Sequence, residues 1–212
     1  MPNRKVNFYE NNVYHVFAKS IAGYKIFDQK NDARRFLNTV LFYNAEKPES
    51  KFSLRGERKD DKINPGHSGK ILKIIAYCVM PTHFHLIIEP IKPENISHYM
   101  NVVLKSYSRY FNVKHNRKGP LWESRFKSVL VETDEQLLHL TRYTHLNPVT
   151  AYLVNKPEDW NFSSYKEYLG LTEKICEFED RLKIQPEQYA KFVNERISYQ
   201  RELAKIKDLI LE

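Results

Sequence analysis

Residues 14–20, YHVFAKS, set Tyr14, Val16 and Ala18 against His15, Phe17 and Lys19. This is the two-residue period of a half-buried strand. Residues 31–46, NDARRFLNTVLFYNAE, change to a helical period, with Phe36, Leu37, Val40 and Leu41 on one face and Asp32 as a candidate N-cap. ILKIIAYCVM (71–80) and HFHLIIEP (83–90) are apolar runs joined by Pro81-Thr82, a link short enough to predict an antiparallel hairpin. The spacing of apolar positions 96, 99, 100, 103, 104, 107, 110 and 111 predicts a long helix over 94–115, stopped by NRKG at 116–119. FKSVLVE (126–132) alternates again. A last core helix is predicted over 133–147. Thr133 and Gln136 have capping-box spacing, and Pro148 disfavours helical geometry at Asn147.

The order is strand, helix, strand, strand, helix, strand, then helix. Its first six elements are those of a β-α-β-β-α-β ferredoxin-like unit: an α+β fold with an antiparallel sheet and helices on one face. Residues 45–70 are charged, contain Pro and Gly, and hold almost nothing apolar, so they are expected to form a flexible insertion. Residues 1–170 would make one domain. Residues 171–212, with eight basic and nine acidic side chains and helical periodicity, would make a C-terminal helical extension.

The 212 residues are 42% hydrophobic and 28% charged, enough to bury a core. A net charge of +8 points to a polyanionic partner without bearing on the fold. The two cysteines, Cys78 and Cys176, make no thiolate metal motif. No run approaches the ~20 apolar residues of a membrane span, and MPNRKVNFYENN has no signal-peptide character. The expected compartment is a reducing cytoplasm.

Candidate chemistry begins at MPTHFHLIIEP. Residues 83 and 85 of a strand point to the same face, so the imidazoles of His83 and His85 stand side by side while Phe84 turns to the core. That is a workable two-ligand metal site, and also an ordinary pair of half-exposed residues on a polar sheet face. Imidazole suits zinc; an added amide or carboxylate with open water positions admits magnesium or manganese.

TRYTHLNPV places Tyr143 and Asn147 four residues apart, on one face of the last helix. Asn147 could give a third, oxygen ligand, and Tyr143 would then stand beside the cation. Phenol, with a pKa near 10, attacks poorly at neutral pH without a cation or base. A packing tyrosine and a helix-terminating asparagine are the plainer readings of the two residues. His139 is expected to support or pack.

Residues 101–130 carry Lys105, Arg109, Lys114, Arg117, Lys118, Arg125 and Lys127 against the single acid Glu123. Tyr107, Tyr110 and Phe111 fit a core. The cations, with Trp122 in KGPLWESRFK, suit a phosphate backbone and unpaired bases, whose stacking contributes ~1–3 kcal/mol each.

Taken in order, YHVFAKS with Ile26-Phe27, YCVMPTHFHLIIEP, SYSRYFNVKH, GPLWESRFKS, LTRYTHLNPVTAYLV and WNFSSYKEYLG resemble the single-tyrosine HUH transposases, most of all the REP-associated tyrosine transposases of bacteria. The resemblance covers about residues 10–170. It implies a divalent metal, magnesium or manganese, and cleavage and rejoining of single-stranded DNA beside a hairpin, in the nucleoid. Position by position, His83 and His85 match the histidine pair, Tyr143 the nucleophile and Asn147 the polar helix ligand. A 5′-phosphotyrosine with a free 3′-hydroxyl is the implied intermediate. This chain departs from the pattern in AKSIAG, where relatives have Arg-Gly, and in its long 45–70 insertion. Either departure bears on DNA recognition or on the choice between monomer and homodimer. Two other readings stand beside the transposase: a domesticated hairpin-binding protein that does not cut, and a metal-dependent nuclease that uses water.

Overall fold

A computed structural model describes residues 7–46, 52 and 69–210, the last six of these by backbone alone. The first strand, β1 (Val13–Lys19), buries Tyr14, Val16 and Ala18 as the alternation predicts. Helix α1 (Lys30–Tyr43) follows, then β2 (Leu72–Met80), β3 (His83–Pro90), α2 (Ile96–Lys114), β4 (Lys127–Val131) and α3 (Asp134–Thr150). The strands pair in the order β2-β3-β1-β4, every neighbour antiparallel. This is the ferredoxin-like arrangement that the element order predicts.

Helices α1 and α2 share one face of the sheet. Phe36 of α1 lies 4.6 Å from Phe84 of β3, and Tyr107 of α2 lies 5.4 Å from Phe36, ring centre to ring centre. Helix α3, beyond the ferredoxin-like unit, lies against the opposite face, to which His83 and His85 point.

Some boundaries differ from the sequence expectations, each for a local reason. Asp32 does not cap α1. The helix starts at Lys30, and the buried Asp32 carboxylate accepts hydrogen bonds from Lys114 at 2.6 Å and the Tyr110 hydroxyl at 2.8 Å, tying α1 to the end of α2. The same helix stops at Tyr43, because the Asn44 carboxamide pairs with both backbone groups of Leu72. Thr133 caps α3 as expected. Pro148 does not end that helix, which runs to Thr150. Near a C-terminus, a missing N–H costs only one intrahelical bond, and Ala151 and Leu153 N–H groups still reach the carbonyls of Asn147 and Pro148.

Most of the expected 45–70 insertion lies outside the described residues. Its two ends meet: Ala45 bridges Lys70, and the Glu46 N–H donates to the Gly69 carbonyl. Phe52 packs 4.9 Å from Phe42.

After α3 the chain returns along the open edge of β2. Val79 N–H donates to the Phe162 carbonyl, and Tyr77 N–H donates to Ser164 Oγ. This covers a strand edge that would otherwise offer unpaired backbone groups. The short helix α4 (Tyr165–Tyr168) leads to α5 (Pro186–Asn194) and α6 (Ile197–Ile210). The helical extension is thus two helices separated at residues 195–196, and Tyr189, Val193 and Ile197 all pack on the core. No described helix is long and apolar enough to cross a membrane.

Candidate active site

The β1–β3 register sets His83 opposite Lys19 and His85 opposite Phe17. Directly opposed residues of an antiparallel pair point to one face, so these four side chains share a surface. The His83 and His85 ring centres lie 5.0 Å apart at 88°. His83 Nδ1 is 3.0 Å from the Thr82 hydroxyl. His85 Nδ1 is 2.8 Å from Nε2 of His15 on β1, and the two rings stack at 5.0 Å.

His15 is the residue the sequence did not single out. Its signal was present: it lies on the same alternating face as Phe17 and Lys19. Only the strand register tells that it meets His85.

Burial keeps these imidazoles neutral. It lowers His15 to about 4 and, with the Lys19 charge, lowers His83 to about 4. His85 falls well below 6.5, first through burial and then through His83, His15 and Lys19. A neutral imidazole has one N–H and one lone pair. If Nδ1 of His85 carries the proton, it donates to His15 Nε2 and leaves the Nε2 lone pair free. His85 Nε2 is buried and has no hydrogen-bond partner.

Such an orphaned atom is costly unless something binds it. The second ring nitrogen of a metal-bound histidine is characteristically hydrogen-bonded elsewhere, as His85 Nδ1 is here. The donors therefore fit a cation held by two imidazoles. Among the described residues no three His, Cys, Asp or Glu side chains converge into a complete set. Further ligands would have to be amide, water or substrate oxygens.

Helix α3 brings Tyr143 to this place. Its ring lies 5.8 Å from that of His85, edge to face at 83°. It is 45% exposed, which leaves the phenol open to a large substrate. Partial burial, followed by the neighbouring Cys78, raises its pKa. Cys78 itself is fully buried opposite His85 in the β2–β3 register. Asn147 lies one turn beyond Tyr143, half-buried, and its Nδ2 donates to the Tyr143 carbonyl at 3.1 Å. That bond uses the amide nitrogen rather than the carboxamide oxygen. His139 packs 5.5 Å from Phe192 and meets Arg142 at 2.7 Å.

The basic residues do not form one patch. Lys105 and Arg109 are exposed on α2, which covers the sheet face opposite the histidines. Lys114 is committed to Asp32 and Gln29. Arg117 bonds Asn112 Oδ1 and the Pro120 carbonyl and lies 5.3 Å from the Tyr24 ring centre. Lys118, Arg125 and Lys127 are exposed. The 116–126 loop reaches the histidine end of β1, where Glu123 N–H donates to the Lys19 carbonyl and Ser20 bridges Trp122.

Trp122 is anchored by aromatic neighbours. Its indole packs 5.8 Å from Phe84 and 6.1 Å from both Phe27 and Tyr107, and its N–H donates to Ser108 Oγ at 2.9 Å. The ring is half-buried and packs against the core.

The family model described as "Transposase IS200 like" matches residues 58–147. That span contains His83, His85, Tyr143 and Asn147. The chain is similar to tyrosine transposases. A Haemophilus influenzae protein named as a REP-associated tyrosine transposase is 29% identical over 103 residues, 43% of this chain and 57% of that protein. The chain thus spans little more than half the length of this curated relative. A solved REP-associated tyrosine transposase, bound to a REP hairpin, superposes with a TM-score of 0.57 at 16% identity, covering 84% of this chain and 95% of that one. At that identity the match speaks to the fold.

Proposed function

We propose that this protein is a tyrosine transposase of the REP-associated kind, cleaving and rejoining single-stranded DNA beside a hairpin. The observation that carries the proposal is the approach of the Tyr143 ring to His85, whose Nε2 is buried without a partner. A purely structural tyrosine has no need to stand 45% exposed beside a buried histidine, and a structural histidine does not need an orphaned nitrogen.

A divalent cation, magnesium or manganese, would be held by His83, His85 and the Asn147 carboxamide, and when bound it withdraws charge from the scissile phosphate. The chain's own residues do the rest. Tyr143 Oη attacks phosphorus, the phenolic proton leaves, and the P–O3′ bond breaks with its electron pair going to the 3′ oxygen, which takes up a proton. The products are a 5′-phosphotyrosine and a free 3′-hydroxyl. One phosphoester replaces another, so a 3′-hydroxyl can reverse the step without ATP. Lys19, level with His83, adds positive charge at the phosphate. Lys118, Arg125 and Lys127 would follow the strand beyond it.

A 5′-labelled and a 3′-labelled hairpin with single-stranded flanks, incubated with manganese, tests this. Transposase chemistry leaves the label of the 5′-phosphate fragment on denatured protein. Cleavage with no protein-bound label would mean a water-using nuclease, and binding with neither would mean a hairpin-binding protein. Either result overturns the proposal.

A further inference from the structure

His145 lies between Tyr143 and Asn147 in sequence but on the other side of α3. At 3.6 residues per turn it is about 160° around the axis from each. It is fully buried, and both ring nitrogens are engaged: Nδ1 lies 2.6 Å from the Tyr189 hydroxyl, and Nε2 lies 2.8 Å from Ser164 Oγ.

One polarity satisfies every group along this chain. Ser164 Oγ accepts from Tyr77 N–H at 2.9 Å and donates to the Tyr77 carbonyl at 3.2 Å. In that arrangement it accepts a hydrogen bond from His145 Nε2–H, and His145 Nδ1 accepts from the Tyr189 hydroxyl. One line of hydrogen bonds runs from α5 through α3 to β2, the strand paired with the one that carries His85.

Further contacts from the C-terminal segment reach the same helix. Arg142 stacks 3.9 Å over the Phe192 ring. Arg201 Nε donates to the Val149 carbonyl at 3.3 Å.

We infer that Tyr189 is a positioning residue: through His145 it fixes the rotation of α3 about its axis and so holds Tyr143 and Asn147 toward the histidine pair. Residues 171–204 are then a working part of the site rather than an appendage. The inference rests on the reading of Tyr143 as nucleophile. A helix can sit on a sheet at several rotations with similar apolar burial. A buried hydrogen-bond line, costly to break, selects one of them.

Tyr189→Phe removes the hydroxyl and keeps the ring. Tyr99→Phe is the control: Tyr99 is equally buried on the far side of the sheet and gives one bond, to the Val40 carbonyl at 2.9 Å. Both full-length variants are compared with the wild type in two measurements. The first is the rate of adduct formation at saturating hairpin and manganese. Tyr189→Phe is expected to slow it about tenfold with hairpin Kd unchanged, and Tyr99→Phe to leave it within twofold. The second is native-state hydrogen exchange of amides 140–150, which needs no activity. Tyr189→Phe is expected to lose protection there selectively, whereas Tyr99→Phe loses none. Equal effects of the two variants in both measurements would overturn the inference. If the wild type forms no adduct, the exchange result alone decides the role of Tyr189, and the transposase reading fails separately.

Discussion

His15 Nε2 and His85 Nδ1, on neighbouring strands and 70 positions apart in sequence, meet at 2.8 Å. With the proton on His85 Nδ1, the bond leaves the Nε2 lone pair of His85 free. A metal-ligating histidine held in this way is oriented before the cation arrives, and loss of such a partner typically costs 10–100-fold in affinity. His15→Ala is therefore expected to weaken manganese binding by at least tenfold in titration calorimetry, with the fold retained. Equal affinity in variant and wild type would remove His15 from the site.

Acid should unfold this protein early. His15 and His83 sit at about 4 and His145 at about 3, all lowered by burial from 6.5. The unfolded chain therefore binds protons that the folded chain refuses between about pH 6.5 and 4. Stability is fully present above pH 6.5 and falls as the pH drops through that window, by up to ~1.4 kcal/mol per pH unit for each buried histidine. Denaturant titrations at pH 7, 6 and 5 check this. A flat profile in the wild type, or an unchanged slope in His145→Gln, would contradict it.

The exposed and committed cations should behave differently. Lys118, Arg125 and Lys127 are free to meet phosphates, and each contact to a single strand contributes about 0.7 to the slope of log K against log salt. Replacing all three by Ala is expected to reduce that slope by about 2. Lys114→Ala, which strips a buried carboxylate of its nearest cation, should lower stability and leave the slope alone. Filter binding across a salt series, paired with thermal melts, separates the two effects.

Trp122→Ala should act on folding. Emptying a site among Phe27, Phe84 and Tyr107 is expected to cost ~3–5 kcal/mol, read by urea denaturation. Unaltered stability with weakened hairpin binding would return Trp122 to the nucleic-acid surface.

Much of this architecture was legible because it follows local periods. The alternation in β1, the Pro81-Thr82 link and the Thr133 cap each fix one element from a few neighbouring residues. The paired histidines needed only the two-residue period of a strand, and Tyr143 with Asn147 only the pitch of a helix. What escaped depends on pairing between distant segments. His15 reaches His85 through strand register, which no local pattern states. The aromatic neighbours of Trp122 come from β3, from α2 and from Phe27 just before α1, and none from its own loop. Asp32 has the right identity and place for a cap, yet the Lys114 ammonium and the Tyr110 phenol from α2 claim it. Pro148 shows the reverse error: a strong local signal overruled because α3 had so little helix left to lose.

The central claim is that the oxygen of residue 143 becomes bonded to DNA phosphorus. Mass spectrometry of the protease-digested, nuclease-trimmed protein after reaction with a hairpin substrate measures this directly. The account predicts a nucleotide 5′-phosphate on the peptide containing Tyr143, absent from Tyr143→Phe and from His83→Ala/His85→Ala. A cleaved substrate with that peptide unmodified, or a modification that persists in Tyr143→Phe, would contradict it.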